Sequence, residues 1–395
     1  MKWGQGNMEG SKITYAVVKA GETWGDLATR YEVSIEELKK WNRGVSDVEA
    51  GDLVKVVQEP PHFAHRRRAH YVLGFYTGPM GATMPGSQGT LERQADKLSA
   101  IAPYYFDIDR NNPGRIKARV SPQLIKETIR DAHQRGVKVL ASIHNTDKNP
   151  NISATEALHS ILRAHRMPFF NNLFALLNEY GFDGINLDFE HLRPGDKRLF
   201  TDFVRDLAQR AHAKNYTITV NVLGDVAKTP YSLDFDYPGL AESVDHLGIM
   251  TYDQYRPTQA EPGPVAGLPW VLGTIQAALN EGVPPEKILL GIGVYGYDWT
   301  VGQSNPRALS HSAVEALRRR ENATVQFHPT HKVPFFTYTD SKGRQHEVWY
   351  EDARSIALKL DLVRRHKLAG ILLWRLGLED PSAWGVIQAK LAPII

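Results

Sequence analysis

From residue 70 onward, short apolar runs rich in β-branched and aromatic residues alternate with segments of helical period, and nothing else in the chain constrains its fold as strongly. The strand-like runs are HYVLGFYT, IAPYYFDID, KVLASIHN, FDGINLDFE, YTITVNVL, HLGIMTYD, KILLGIGVYGYDW and GILLWRL. Between them lie helix-period stretches such as SPQLIKETIRDAHQRG, TEALHSILRAHRMPFFNNLFALLNEYG and DKRLFTDFVRDLAQRAHAK. This alternation predicts the α/β class and a (β/α)8 TIM barrel over residues 70–395. The connection between the seventh and eighth strands is too long for one helix. Within it, VPFFTYTDSKGRQHEVWYED reads as an antiparallel hairpin turning at Asp340 to Gly343. Residues 300–352 are therefore expected to contain a small α+β insertion walling one side of the barrel mouth.

The fourth run, GINLDFE, has an unusual phase. Successive strand side chains point to opposite faces, so Ile185, Leu187 and Phe189 share one face while Asn186, Asp188 and Glu190 share the other. A greasy outer face and an acidic inner face suit a parallel barrel strand that is covered by helices outside and opens into a site at its C-terminal end. A buried ion pair is the purely structural use of the same two carboxylates.

A chain of 395 residues is long for a single core and points to a barrel with an added module. Lys+Arg 47 against Asp+Glu 44 leaves a net charge of +3, with the basic residues scattered except for Arg66, Arg67 and Arg68, so no nucleic-acid partner is expected. Cysteine is absent, which excludes disulfides and thiolate metal sites. The opening MKWGQGNMEGSKITY lacks the apolar core of a signal peptide, and no run has the length of a membrane span, so no membrane partner is expected.

Residues 13–58 read as strand, helix, helix, strand: ITYAVV, GETWGDLATRYE, SIEELKKWN and DLVKVV. Ser34 and Glu37 fit a capping box at the second helix, and Gly21 and Gly51 mark turns. Residues 59–69, with a proline pair and a basic run, have the composition of a linker. The pattern Tyr15, Val17, Gly21, Glu22, Thr23, Leu27, Ala28, Tyr31, Val33, Leu38, Trp41, Asn42, Gly51, Asp52, Leu53 resembles a LysM domain, with Trp24 in place of the usual leucine. The resemblance implies binding of polymers containing N-acetylglucosamine through the loop Gly21, Glu22, Thr23 and Trp24 and the loop before the last strand, mostly by backbone amides.

The run Asp183-Gly-Ile-Asn186-Leu-Asp188-Phe-Glu190 resembles the signature of glycoside hydrolase family 18, Asp-x-x-Asp-x-Asp-x-Glu, and IMTYD and Trp374 in GILLWRLGLED resemble its sixth- and eighth-strand motifs. The resemblance implies Glu190 as the general acid, Asp188 as the carboxylate that orients the substrate's acetamido group, and Tyr252 as the donor to that group's oxygen. Asn186 and Asp183 are expected in support. Trp374, Asp253, Met250, Tyr76, Asn145 and Tyr295 are expected to line the sugar site. Asp188 sits on the same strand as the acid and is badly placed to attack as a nucleophile, so the substrate's own acetamido oxygen is expected to do so. Most members have aspartate at position 186; the neutral Asn186 is expected to donate a hydrogen bond to Asp188 without being able to take its proton. His144 replaces a glycine of the third-strand motif, and either lines the cleft or packs as a bonded histidine.

The LysM module, Asn186 and the ending VWYEDARSI with LLWRLGLEDPSAW resemble the spore-germination branch of the family. That implies a monomeric N-acetylglucosaminidase acting on spore-cortex peptidoglycan, located in spore coat, cortex or cell wall, with no signal peptide visible. A chitinase or chito-oligosaccharide hydrolase, a non-catalytic carbohydrate-binding protein and an N-glycan endoglycosidase are the other readings. No cofactor and no metal are needed by such a reaction.

Overall fold

The computed structural model describes residues 12–31, 35–58, 70–78, 83–145, 154–190, 192–193, 195–224 and 235–392. The linker 59–69 and Ser34 of the expected capping box lie outside the described residues. The chain divides into two compact units, Met1–Arg68 and Ala69–Ile395.

The first unit pairs Lys12–Val17 antiparallel with Leu53–Gln58, and the helices Trp24–Tyr31 and Ile35–Trp41 lie between them in sequence. Thr23 and Asp26 cap the first helix reciprocally: Asp26 Oδ2 accepts from the Thr23 N–H at 2.9 Å, and Thr23 Oγ1 accepts from the Asp26 N–H at 3.3 Å. The Asn42 side chain ties the second helix to the closing strand, donating to the Leu38 and Lys55 carbonyls and accepting from the Lys55 N–H, each at 2.8 Å. The side chain of Trp24, at the end of the expected glycan-binding loop, is buried with Leu27, Leu38, Val54 and Val56 in the core of this unit. It is the first residue of a helix whose apolar stripe faces inward, and a leucine in that position would do the same packing.

The second unit is a closed barrel of eight parallel strands: β1 (Tyr71–Tyr76), β2 (Ala100–Pro103), β3 (Lys138–His144), β4 (Gly184–Asp188), β5 (Thr217–Leu223), β6 (His246–Met250), β7 (Ile288–Gly293) and β8 (Gly370–Trp374). Each pairs with its neighbours in chain order, and β8 returns to β1. Tyr71, Leu73, Phe75, Ala100, Ala102, Leu140, Leu289 and Leu372 fill the barrel interior. The opposite face of each strand, with Val72, Ile101, Val139, Ile185, Leu187, Ile218 and Val220, packs on the helices. The helix Pro122–Gln134 illustrates how the layer forms. Ser121 caps it by accepting from the Leu124 N–H at 3.2 Å, Pro122 starts it, and Ile125, Ile129 and Ala132 fall on one buried stripe.

Two of the expected strands are each broken in two. IAPYYFDID ends its barrel strand at Pro103, and Phe106–Ile108 then pairs with Ile116–Ala118 and with the end of β3. KILLGIGVYGYDW leaves the barrel after Gly293, and Gly296–Thr300 begins a separate five-stranded antiparallel sheet. The insertion thus starts a few residues before the expected boundary at 300. Its remaining strands are Arg307–Leu309, Gln326–Phe327, Pro334–Thr339 and Gln345–Tyr350, with the helix His311–Arg320 packed on it. The central hairpin turns at Asp340, whose N–H donates to the Arg344 carbonyl at 3.0 Å, and Gly343 takes the left-handed φ of 78° that the turn requires.

Candidate active site

The C-terminal ends of β4, β5, β6 and β8 surround a cavity of about 540 Å³ lined by Asp188, Glu190, Leu223, Met250, Tyr252, Asp253, Arg256, Trp270 and Trp374. The inverted phase of β4 carries the two acids into it. Asp188 is the last residue of the strand and is buried, and Glu190 lies just beyond the strand end and is half-buried. Asn145, at the end of β3, accepts the Glu190 backbone N–H on its side-chain oxygen at 3.0 Å. It therefore holds the acid's main chain and is not among the residues lining the cavity.

Burial and then the charges of Asp188 and Asp253 push the Glu190 carboxyl up to about 8, and Arg256 opposes this. Burial pushes Asp188 up to about 6, offset by a hydrogen bond from Asn221. The two groups interact, so the proton shared near neutrality belongs to the pair, with Glu190 the more strongly protonated member. The Tyr252 hydroxyl, in the wall of the same cavity, is buried and has no hydrogen-bond partner among the described residues. Asp253 follows it with φ 56°, and its Oδ1 accepts the Tyr297 hydroxyl at 2.9 Å as well as that of Tyr295. Tyr295, expected to line the sugar site, thus lies behind Asp253 and orients it. Trp374 packs edge-on against Phe75 and Tyr104, with ring centroids 4.8 and 5.3 Å away, and forms an aromatic wall of the cavity.

Three expectations are corrected by the geometry, and one open alternative is decided. Tyr76 points away from the cleft into the helix layer, where it meets Tyr105 edge-on at 6.2 Å, because strand alternation gives the inward position to Phe75. Asp183 precedes the first residue of β4, at the far end of the strand from Glu190, where it accepts the Val139 N–H at 2.7 Å and pairs with His133 at 2.8 Å. Asn186 donates to Ser142 Oγ at 3.2 Å and not to Asp188. His144 is fully buried, stacked on Tyr104 at 3.7 Å and paired through Nδ1 with Asp107 at 2.7 Å, which settles the packed use of that side chain.

Asn221, Arg256 and Trp270 were not singled out from the sequence. For Asn221 a signal existed: TITVNVL has the same inverted phase as GINLDFE, with Ile218, Val220 and Val222 outward and Thr219 and Asn221 inward. A second hollow, of about 570 Å³, lies in the insertion, but its charged walls are paired with one another, Arg307 with Asp298 at 2.8 Å and Arg344 with Asp340 at 2.7 Å.

Residues 73–379 match the model of the glycosyl hydrolases family 18, and residues 16–56 match the LysM domain. The chain belongs to glycosyl hydrolase family 18. It is a glycoside hydrolase built on a TIM barrel with an N-terminal LysM module, a combination that implies binding of polymers containing N-acetylglucosamine. It is 31% identical to YdhD of Bacillus subtilis (strain 168), over 93% of this chain and 85% of that protein. The structure of the Bacillus cereus spore cortex-lytic enzyme SleL is similar, with a TM-score of 0.75 and 26% identity, covering 96% of this chain and 87% of that one. A chitinase from Chromobacterium violaceum ATCC 12472 matches with a TM-score of 0.75 and 31% identity, covering 82% of this chain and 100% of that one. No helix among the described residues is long and apolar enough to cross a membrane.

Proposed function

We propose that this family 18 enzyme hydrolyses the β-1,4 bond following N-acetylglucosamine in spore-cortex peptidoglycan, by retaining catalysis in which the substrate supplies the nucleophile. The convergence of a proton-bearing Glu190, the carboxylate Asp188 and the Tyr252 hydroxyl, unpartnered among the described residues, on one cavity carries the reading. A retaining glycosidase with a protein nucleophile sets its second carboxylate about 5–5.5 Å from the acid, across the sugar, and family 18 is an exception to that arrangement. Asp188, on the acid's own strand, suits a different task.

In the first step Glu190 gives its proton to the glycosidic oxygen as the bond to C1 breaks, and the acetamido carbonyl oxygen of the same sugar bonds to C1, forming an oxazolinium ring. Asp188 accepts a hydrogen bond from the acetamido N–H and stabilises the positive charge that develops there. Tyr252 donates to the acetamido oxygen, and Trp374 offers an aromatic floor to the sugar's C–H face. In the second step the Glu190 carboxylate takes a proton from water, whose oxygen attacks C1 and opens the ring, leaving N-acetylglucosamine at the new reducing end with its configuration retained.

Likeness to SleL across almost the whole chain favours cortex as the substrate, and the LysM module suits an insoluble wall polymer in spore cortex or cell wall, on which the enzyme acts as a monomer. The chitinase likeness favours chitin oligomers as the second reading, since the sugar at the cleavage site would be the same. The mechanism is tested by comparing hydrolysis of N-acetylated glycan with that of the same glycan chemically de-acetylated. Cleavage should require the acetyl group; equal rates on the two would overturn the substrate-assisted route.

A further inference from the structure

Orienting an acetamido group demands that Asp188 present one oxygen in one direction, and its own strand does not supply the restraint. Asn186, two residues earlier on the same inward face, turns its amide to Ser142 on β3. The restraint comes from the other side. Asn221 on β5 donates its Nδ2 to Asp188 Oδ1 at 3.0 Å, with both side chains buried. The Asn221 amide is itself accommodated by an absence of bulk on β6. Gly248 is its register partner, and a Cβ there would meet Asn221 Oδ1 at 2.5 Å.

We propose that Asn221 is the positioning residue of Asp188, fixing its carboxylate by occupying Oδ1 so that Oδ2 is offered to the substrate's acetamido N–H, and that Gly248 provides the room this amide needs. The inference rests on the role given to Asp188 above. A charged or polar donor on a buried carboxylate favours its ionised form, and the Asn221 bond works in that direction against burial. Among the described residues, the other titratable and charged groups around Asp188 and its cavity are Glu190 on the same chain segment, His144 at the end of β3, Tyr104 after β2, and Tyr252, Asp253 and Arg256 after β6. A change at 221 leaves these side chains in place and reaches Glu190 only through its interaction with Asp188.

Asn221→Leu keeps the branched heavy-atom outline of the side chain, with somewhat more bulk, and removes the donor, while Gly248→Ala leaves the donor and crowds its amide. On N-acetylglucosamine oligomers both variants should lose at least tenfold in kcat with KM changed less than threefold, and the acidic limb of kcat should move to higher pH. A role confined to packing would leave that limb in place. Retention of the parent's limb and kcat within twofold in Asn221→Leu would overturn the proposal, as would a loss confined to KM. Carboxyl 13C NMR titration of Asp188 in the parent and in Asn221→Leu reads the same contact without relying on activity. Asp188 should titrate at higher pH in the variant, and an unchanged titration would overturn the positioning role whatever the true substrate. If neither substrate is cleaved by the parent while the titration does shift, the functional reading has failed and the Asn221 contact stands.

Discussion

Activity should be confined to a window around neutrality bounded by two carboxyls of one cavity. Burial and the charges of Asp188 and Asp253 raise Glu190 to about 8, and burial raises Asp188 to about 6. Glu190 works protonated, so its contribution is complete well below its raised value and is lost as the pH climbs through it. Asp188 works ionised, so its contribution is complete above its raised value and is lost as the pH falls. The limbs belong to the interacting pair, and the working form, with Asp188 ionised and Glu190 protonated, is most populated between them. The assay is kcat/KM for N-acetylglucosamine oligomers across the pH range, repeated on Asp253→Asn. Removing that charge takes away one of the causes that raise Glu190, so the upper limb should move to lower pH. An upper limb near the ordinary glutamate value of about 4.3, or one that does not respond to Asp253→Asn, would refute the electrostatic reasoning.

The same raised carboxyl makes Glu190→Gln more stable than the parent above the upper limb. Stability supplied by the protonated acid is fully present below the ordinary glutamate value of about 4.3 and is lost progressively up to about 8, so thermal melting of the variant should show a gain that grows across that interval and is level above it. Tyr252→Phe removes one preorganised donor to the acetamido oxygen and should lower kcat by about 10²–10³ with little change in melting temperature. Lys359 and Glu351 form a buried pair with Nζ 2.7 Å from Oε2, so Lys359→Ala strands a charge and should cost about 3–5 kcal/mol in denaturant unfolding. Deleting residues 1–58 should slow digestion of whole sacculi more than that of soluble fragments in side-by-side assays, because the LysM module raises local concentration only on a polymer.

The barrel and the placement of Asp188 and Glu190 could be read from strand phase, because a parallel barrel forces two distinct faces on each strand and GINLDFE assigns polar groups to the inner one. Phase also decides Tyr76, which shares its parity with the outward Val72 and so belongs with the helices. Asp183 entered through a motif that runs the length of β4, although its two ends lie on opposite sides of the barrel and only one end holds the site. Hydrogen-bond partners were less accessible. Asn186 is adjacent to Asp188 in pattern, yet its amide goes to β3, and the donor comes from β5, more than thirty residues away in sequence. Such choices depend on register between strands and on the space left by Gly248, neither of which a single strand's sequence contains. Trp24 ends the expected binding loop by sequence position, yet the helix it begins turns its side chain into the core.

Glu190 and the substrate's own acetamido group, acting together, should cleave after N-acetylglucosamine in cortex glycan. Mass spectrometry of borohydride-reduced products from cortex peptidoglycan and from chitin oligomers tests it most directly, with Glu190→Gln as the control. Reduced N-acetylglucosamine at the ends of cortex fragments, absent with the control, is the predicted result. Reduced muramic ends, cleavage of chitin alone, or products that persist with Glu190→Gln would contradict it.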